Sequence, residues 1–333
     1  MIVLDADYLG RARTGDETYI ENLLRALVPL KGELELGAIV RDASLLPAGV
    51  EPLVQRAGLQ ELRMAWSVPR LLQRVRPRIA HFVHALPPRL PCPAVLTVQD
   101  LGFERVGSLM SWKDRLVFRR VVPRSVRRAA RVLAISERTK RDLVELYGVP
   151  EQKVVVTPLG VDAVFRPAAD ARGTYLLFVG AIQDRKDPLA AVAAATAVGL
   201  PLVVAGPEKD ARLAEHLRVA GADVRGYVPR AELAELYRGA AALVLPTRYE
   251  GFGLPVVEAM ASGTPVVAAP DEAVREVAGD AAVFAEAPDL ADAVRRALDD
   301  RDRLVAAGLE RARLFSWDET ARRTLAVYRE LLA

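Results

Sequence analysis

A chain of 333 residues, 51% apolar and 27% charged with a net charge of +3, is long enough for two domains that each bury a core. Its apolar runs, such as Leu243–Pro246 and Pro265–Ala269, are far too short to span a bilayer. One cysteine, Cys92, excludes an internal disulfide, and with only three histidines the soft ligands of a metal cluster are lacking, so no metal is expected.

Met1 runs directly into the strand-like Ile2-Val3-Leu4, without a basic leader or a long apolar segment. No secretory signal is therefore expected, and cytoplasmic residence is the default. A loop from Asp5 to Asp16 with Gly10 and Gly15 follows, then a helix over about 17–28 with Tyr19, Ile20, Leu23, Leu24 and Leu27 at helical spacing. Strand, glycine loop and helix make a phosphate-compatible start, although no GxGxxG is present. Short apolar runs then alternate with proline-rich joints: Leu34–Val40, Glu61–Trp66, Ile79–Val83 and Ala94–Val98, with helix-like Pro69–Val75 among them. That is the rhythm of a doubly wound α/β sheet. His81-Phe82-Val83-His84 ends a strand on the edge where ligands usually bind.

Charge is unevenly spread. Residues 1–165 carry 25 Lys and Arg against 18 Asp and Glu, and the remainder 21 against 25. Much of the excess lies in Lys113–Arg131, where eight basic residues are opposed only by Asp114. The segment 111–130 reads as a helix interrupted at Pro123. Its basic face is either simply solvated or in peripheral contact with anionic lipid on the inner face of a membrane. No nucleic-acid partner is expected.

Arg131–Ser136 reads as a strand leading into a helix Glu137–Tyr147 capped by Ser136, and Lys153–Pro158 as the next strand. Phe165–Gly173, with Pro167 and no apolar period, reads as a linker. Strand Tyr175–Val179 ends in Gly180, with Arg185 and Lys186 shortly after it. An arginine forks onto two phosphate oxygens and a lysine acts as a mobile point charge, so this placement suits a diphosphate, although an exposed Arg-Lys pair is by itself unremarkable. Asp187 is positioned to cap the helix that starts at Pro188. Leu202–Ala205 is a further strand. Gly226, Tyr227 and Val228 follow a short strand and either read a nucleobase with their backbone or form a simple turn. A helix Glu232–Arg238 precedes the most informative stretch.

Ala241–Ala269 reads as strand, glycine-broken loop, short helix and strand, with Pro255 as first helical residue. Gly251 and Gly253 allow close backbone approach, and the helix N-terminus favours an anion. Glu250 and Glu258, eight residues apart, suit sugar hydroxyls, which donate hydrogen bonds to carboxylates. Amides for a diphosphate beside carboxylates for sugars form the pattern of a nucleotide-sugar site. The competing reading is a helix first turn whose acidic residues merely favour its dipole. Helices over 289–298 and 301–313 and a last helix capped by Ser316 complete the chain.

The stretch EGFGLPVVEAMASGTPVVA resembles the E-x7-E signature of retaining GT-B glycosyltransferases of family 4. RVLAISERTKRDLVELYGVPEQKVVVTPLGVD is similar to that family's interdomain passage, and the resemblance covers nearly the whole chain, more loosely before Arg131. It implies two Rossmann-like doubly wound parallel-sheet domains with a cleft between them: residues 1–165 on the acceptor side, 166–314 holding the donor, and 315–333 as a helix crossing back. It implies metal-independent hexosyl transfer from an NDP-sugar of the GDP-mannose or UDP-glucose type to a glycan, lipid-linked or small-molecule acceptor, without a cofactor. Arg185 and Lys186 would hold the diphosphate with help from Gly180, Gly251, Phe252, Gly253 and Leu254. Glu250 would bind the hexose, Glu258 the ribose, and Gly226, Tyr227 and Val228 the base. Gly15 would lie beside the diphosphate or the acceptor. Thr97-Val98-Gln99-Asp100-Leu101 departs from the family pattern, which has histidine where Gln99 stands; glutamine cannot shuttle a proton near neutral pH. Asp100 either orients an acceptor hydroxyl or caps the next turn. An NDP-sugar epimerase of the same architecture and a non-catalytic NDP-sugar-binding subunit are the alternatives.

Overall fold

The computed structural model describes residues 1–11, 14–55, 58–106, 112–168 and 173–333. These form two compact units. One is built from Met1–Glu104, residues 112–160 and Trp317–Ala333, the other in the main from Val161–Ser316. The reading of Phe165–Gly173 as a linker falls partly on residues 169–172, outside the described residues. Phe165 itself is buried in the second unit, edge-on to Tyr237.

The first unit carries a parallel sheet in the order β3-β2-β1-β4-β5-β6-β7. Its strands are β1 Ile2–Asp5, β2 Leu36–Val40, β3 Val50–Val54, β4 Ile79–Val83, β5 Ala94–Val98, β6 Arg131–Ala134 and β7 Val154–Val156. Every residue of β1, β2, β4 and β5 is buried, which is why these strands read as continuous apolar runs. The second unit has β8 Tyr175–Val179, β9 Leu202–Ala205, β10 Asp223–Gly226, β11 Ala240–Leu245, β12 Val266–Ala268 and β13 Val283–Phe284, in the order β10-β9-β8-β11-β12-β13. Strand order reverses between β1 and β4 in one sheet and between β8 and β11 in the other. Such switch points, at the carboxyl ends of the strands, are where open α/β sheets hold ligands.

Several elements differ from the sequence expectation. The first helix is Thr14–Leu30, so Gly15 stands in its first turn and not in a loop. Glu61–Trp66 is helical throughout: Gln60–Leu62 is followed by a π-helix, Arg63–Ser67, and then by helix Val68–Val75. The cause is Arg63, a fully buried guanidinium that bonds Asp5 at the end of β1 at 2.6 and 2.8 Å. Strand β3 escaped notice because Pro52 cannot donate to a ladder; as an edge strand beside β2 it tolerates proline. Helix Trp112–Arg128 runs through Pro123 without a break. Ser111 and the side chains of 112–117, and so part of the basic segment, lie outside the described residues. Within the rest, Arg119 pairs with Glu104, Arg128 donates to the Pro87 and Pro88 carbonyls, and Arg131 pairs with Glu330. Ser136 caps its helix as expected, accepting from Thr139 N–H at 3.0 Å.

The last helix, Trp317–Leu332, packs on Thr14–Leu30 within the first unit. His81 fastens it: Nδ1 lies 2.5 Å from the Tyr328 hydroxyl and Nε2 lies 2.7 Å from Thr97 Oγ1, which also meets the Tyr19 hydroxyl at 2.8 Å. Burial pushes the His81 imidazole down to about 3, so it is neutral and takes part as a donor–acceptor bridge. Among the described residues no helix is long and apolar enough to cross a membrane.

Candidate active site

Two loops meet at the switch point of the second sheet. One leaves β8 through Gly180 and reaches a 3-10 turn, Asp184–Lys186; the other leaves β11 and enters helix Leu254–Ala261. Arg185 latches them, its guanidinium donating to the Tyr249 carbonyl while its own carbonyl accepts from Arg248 N–H at 3.0 Å. The Lys186 stem lies across Gly180, where a Cβ would sit 3.7 Å from its Cδ and Cε. Its ammonium is buried against the carboxylate of Glu250, so the two loops share an ion pair.

Asp187 was expected to cap the helix Pro188–Val198. It occupies the cap position in a left-handed conformation (φ +49°) but makes no side-chain capping bond. Its carboxylate accepts instead from Arg248 at 3.2 Å. Helix Leu254–Ala261 begins one residue before Pro255, after Gly253 at φ +111°. That backbone requires glycine, and no side chain caps the N-terminus of the helix that follows. Phe252 is buried edge-on to Phe315, so its contribution is to hold the loop. Gly226 (φ +66°) accepts from Gly206 N–H at 2.7 Å and thus forms part of a tight turn, while the Tyr227 side chain is exposed.

The two carboxylates lie in opposite electrostatic surroundings. Burial alone would raise Glu250, but Lys186 and then Arg185 outweigh it and hold the carboxyl below its ordinary value. Its backbone N–H donates to Asp271 Oδ2 at 3.3 Å. Glu258 is buried, forms no ion pair among the described residues and is pushed up to about 7, opposed in part by the Tyr237 hydroxyl that donates to it at 2.9 Å and by Arg230. Environments that separate two carboxylates in this way assign them different roles. Tyr237 and Asp271 were missed in the sequence. Asp271 is legible as the cap of helix Glu272–Ala278, but nothing marks its second bond, and Tyr237 lies 21 positions from its partner.

The raised carboxyl has a testable consequence. Between pH 4.5 and about 7 the folded chain keeps a proton on Glu258 that the unfolded chain releases. The stability it contributes is therefore present below pH 4.5 and lost as pH rises through 7, by roughly 3 kcal/mol in all at 1.36 kcal/mol per unit. Glu258→Gln is expected to be more stable than the parent chain at pH 8 by about 3 kcal/mol and equal to it near pH 4.5. Urea unfolding at the two pH values checks this, and a constant difference would refute it.

In the first unit, Gly15 and Gln99 are brought together: a Cβ on Gly15 would lie 3.3 Å from Gln99 Oε1. Asp100 accepts from Gly102 N–H at 3.0 Å and so caps the following turn. His84, not singled out from the sequence, joins them by way of Asp16, its Nε2 3.1 Å from Oδ1. Among the described residues no group of three His, Cys, Asp or Glu side chains is arranged to hold a metal ion.

Residues 13–165 match the family model described as Glycosyltransferase Family 4, and residues 163–313 the one described as Glycosyl transferases group 1. O-antigen chain mannosyltransferase B of Escherichia coli is 30% identical over 304 residues, 82% of this chain and 78% of that protein. The chain belongs to glycosyltransferase family 4. A second relative of this family 4 chain, D-inositol 3-phosphate glycosyltransferase of Nocardioides sp. (strain ATCC BAA-499 / JS614), is 38% identical over 252 residues, 62% of this chain; the chain spans only 55% of that relative's length. Among solved structures, sucrose-phosphate synthase from Thermosynechococcus elongatus superposes with a TM-score of 0.80 at 20% identity, covering 99% of this chain and 98% of that one. The fold is GT-B.

Proposed function

We propose that this family 4 chain is a retaining, metal-independent hexosyltransferase that moves a mannose- or glucose-type sugar from an NDP-sugar to an acceptor hydroxyl. The observation that carries this reading is the buried Lys186–Glu250 pair, with Arg185 beside it, between a glycine turn and a helix N-terminus at the switch point of the second sheet. In the donor complex the diphosphate draws the Lys186 ammonium and the Arg185 guanidinium, and the amides at Gly253-Leu254 add donors. As the bond from the anomeric carbon to the diphosphate breaks, charge develops on the leaving oxygen, and these preorganised groups stabilise it. Two fixed cations supply the neutralisation that a divalent ion supplies elsewhere. Glu250, ionised, accepts from hexose hydroxyls, and Glu258 from ribose hydroxyls. Gly226, Tyr227 and Val228 border the base. The relatives, a mannosyltransferase and an inositol-phosphate glycosyltransferase, support hexose transfer to a polyol or glycan hydroxyl. Arg120, Arg124 and Arg127, exposed at helical spacing, suit a lipid-linked acceptor at an anionic membrane surface.

A thermal-shift panel of UDP, GDP, UDP-glucose and GDP-mannose in EDTA tests the donor half, because a ligand of the folded state raises its stability. One nucleotide family is expected to shift the transition. Transfer to mannosides, glucosides and inositol phosphates, with the product anomer read by proton NMR, tests the rest. An altered free sugar nucleotide would favour the epimerase reading, and binding without turnover over the panel the non-catalytic one. No shift with any nucleotide would refute the donor site.

A further inference from the structure

Lys186 and Glu250 neutralise each other across two loops of the second unit. Lys186 comes from the turn after β8 and Glu250 from the loop after β11, and both side chains are buried. We propose that Glu250 holds Lys186 in place of the donor diphosphate and releases it only when hexose hydroxyls take over the carboxylate, so that the site prefers a loaded NDP-sugar to spent NDP. This inference rests on the reading of the second unit as a donor site and deepens it.

Charge balance forces the exchange. A buried ammonium or a buried carboxylate is costly alone, and here each compensates the other. Burial would raise the Glu250 carboxyl, yet Lys186 first and Arg185 second hold it below its ordinary value. Glu250 is therefore an anion whose counter-ions are the two cations that a diphosphate needs. Spent NDP has two options, both poor. It can leave Lys186 to Glu250 and bind with one cation fewer, or it can take Lys186 and strand a buried carboxylate beside its own charge. A loaded donor escapes this choice: its diphosphate takes the ammonium while its hexose hydroxyls donate to Glu250.

The backbone around the pair is tied down, so the exchange needs only side-chain rotation. Glu250 N–H donates to Asp271 Oδ2 at 3.3 Å, and Asp271 is itself fixed by the N–H groups of Ala273 and Val274 at 3.0 and 3.2 Å. Lys186 N–H donates to the Gln183 carbonyl at 3.0 Å, and the Arg185 guanidinium grips the Tyr249 carbonyl, directly before Glu250. Lysine, a compact ammonium on a flexible stem, suits such a change of partner. The order of events after transfer follows. Once the hexose has left on the acceptor, Glu250 loses its hydroxyl partners and reclaims Lys186, which takes a cation away from the NDP left behind. Product departure is thereby coupled to completed transfer.

Glu250→Gln keeps an oxygen that accepts from Lys186 and removes only the charge. With the nucleotide identified by the thermal-shift panel, calorimetric titration gives the affinities of UDP and UDP-glucose, or of GDP and GDP-mannose. The wild-type chain is expected to bind the NDP-sugar at least about tenfold tighter than NDP. Glu250→Gln is expected to bind NDP at least about tenfold tighter than the wild type does, and to prefer the NDP-sugar by less than about threefold. In a Lys186→Met background the same Glu250→Gln change is expected to leave NDP affinity within about threefold, because no ammonium remains to be released. Equal tightening in that background would reveal plain repulsion between carboxylate and diphosphate and would overturn the exchange. NDP affinity of Glu250→Gln within about twofold of wild type would overturn it too. A crystal structure of the wild-type chain with the NDP-sugar tests the same point without any variant. Glu250 on hexose hydroxyls with Lys186 on the diphosphate is the expected arrangement, and an intact Lys186–Glu250 contact would overturn the inference. A wild-type chain that binds neither NDP nor NDP-sugar would instead refute the donor reading on which it rests.

Discussion

Lys186→Ala is expected to lower kcat/KM for sugar transfer by about 10²–10³-fold, the loss seen when one preorganised donor to a developing oxyanion is removed. The geometry adds a second expectation. Glu250 is buried and held ionised by Lys186 first among its cations. Removing one partner of a buried pair leaves the other charge uncompensated, at roughly 3–5 kcal/mol, so ligand-free Lys186→Ala should also unfold at distinctly lower denaturant concentration. Replacing both partners, as Lys186→Met with Glu250→Gln, removes the stranded charge and is expected to recover most of that stability and none of the turnover. Initial rates and urea unfolding on the same three proteins separate the effects. Transfer by the double variant within tenfold of wild type would remove Lys186 and Glu250 from the mechanism.

Gly206→Ala is expected to be the most damaging single-methyl change near the site. At φ +149° residue 206 occupies a backbone region essentially closed to other residues, and a Cβ there would stand 2.0 Å from the Gly180 carbonyl oxygen and 2.5 Å from its carbon. Neither atom can give way, because Gly180 N–H is bonded to the Ala205 carbonyl at 2.9 Å and Gly206 N–H to Gly226 at 2.7 Å. The three turns that follow β8, β9 and β10 are thus built against one another through glycine. A loss of more than about 4 kcal/mol and the disappearance of the nucleotide thermal shift are expected. Gly221→Ala is the control. That glycine has positive φ (+87°) but nothing within 4 Å of an added Cβ, so strain alone should cost about 1 kcal/mol. Equal losses at the two positions would refute the steric argument.

Much of this was legible in the sequence because buried parallel strands announce themselves as apolar runs. The loop around Glu250 was legible because glycine, proline and carboxylate spacing have local causes. What stayed hidden depended on partners distant in the chain. Periodicity treats Arg63 as a solvent-facing residue, and only the carboxylate of Asp5 makes its burial, and the π-turn around it, intelligible. Pro52 argued against a strand until β3 proved to be an edge. Asp187 had every local mark of a helix cap, yet Arg248, 61 residues on, claims its carboxylate. The different protonation of Glu250 and Glu258 was likewise beyond the sequence, since spacing alone makes them equivalent. His84 drew notice only as a strand end; its distinction comes from Asp16, 68 residues earlier.

The bond between His81 and Tyr328 spans 247 residues of sequence. Its consequence is one of order in time. Residues 161–316 hold all six strands of the second sheet in one continuous stretch and can complete that sheet before the helix Trp317–Leu332 is made. The other unit cannot: its helix Trp317–Leu332 is made after the whole of that stretch, and until then Tyr19, His81 and Thr97 lack the surface that covers them. Of the two units, the one begun earlier is therefore the one completed later, and it waits as a nearly complete sheet with one uncovered flank.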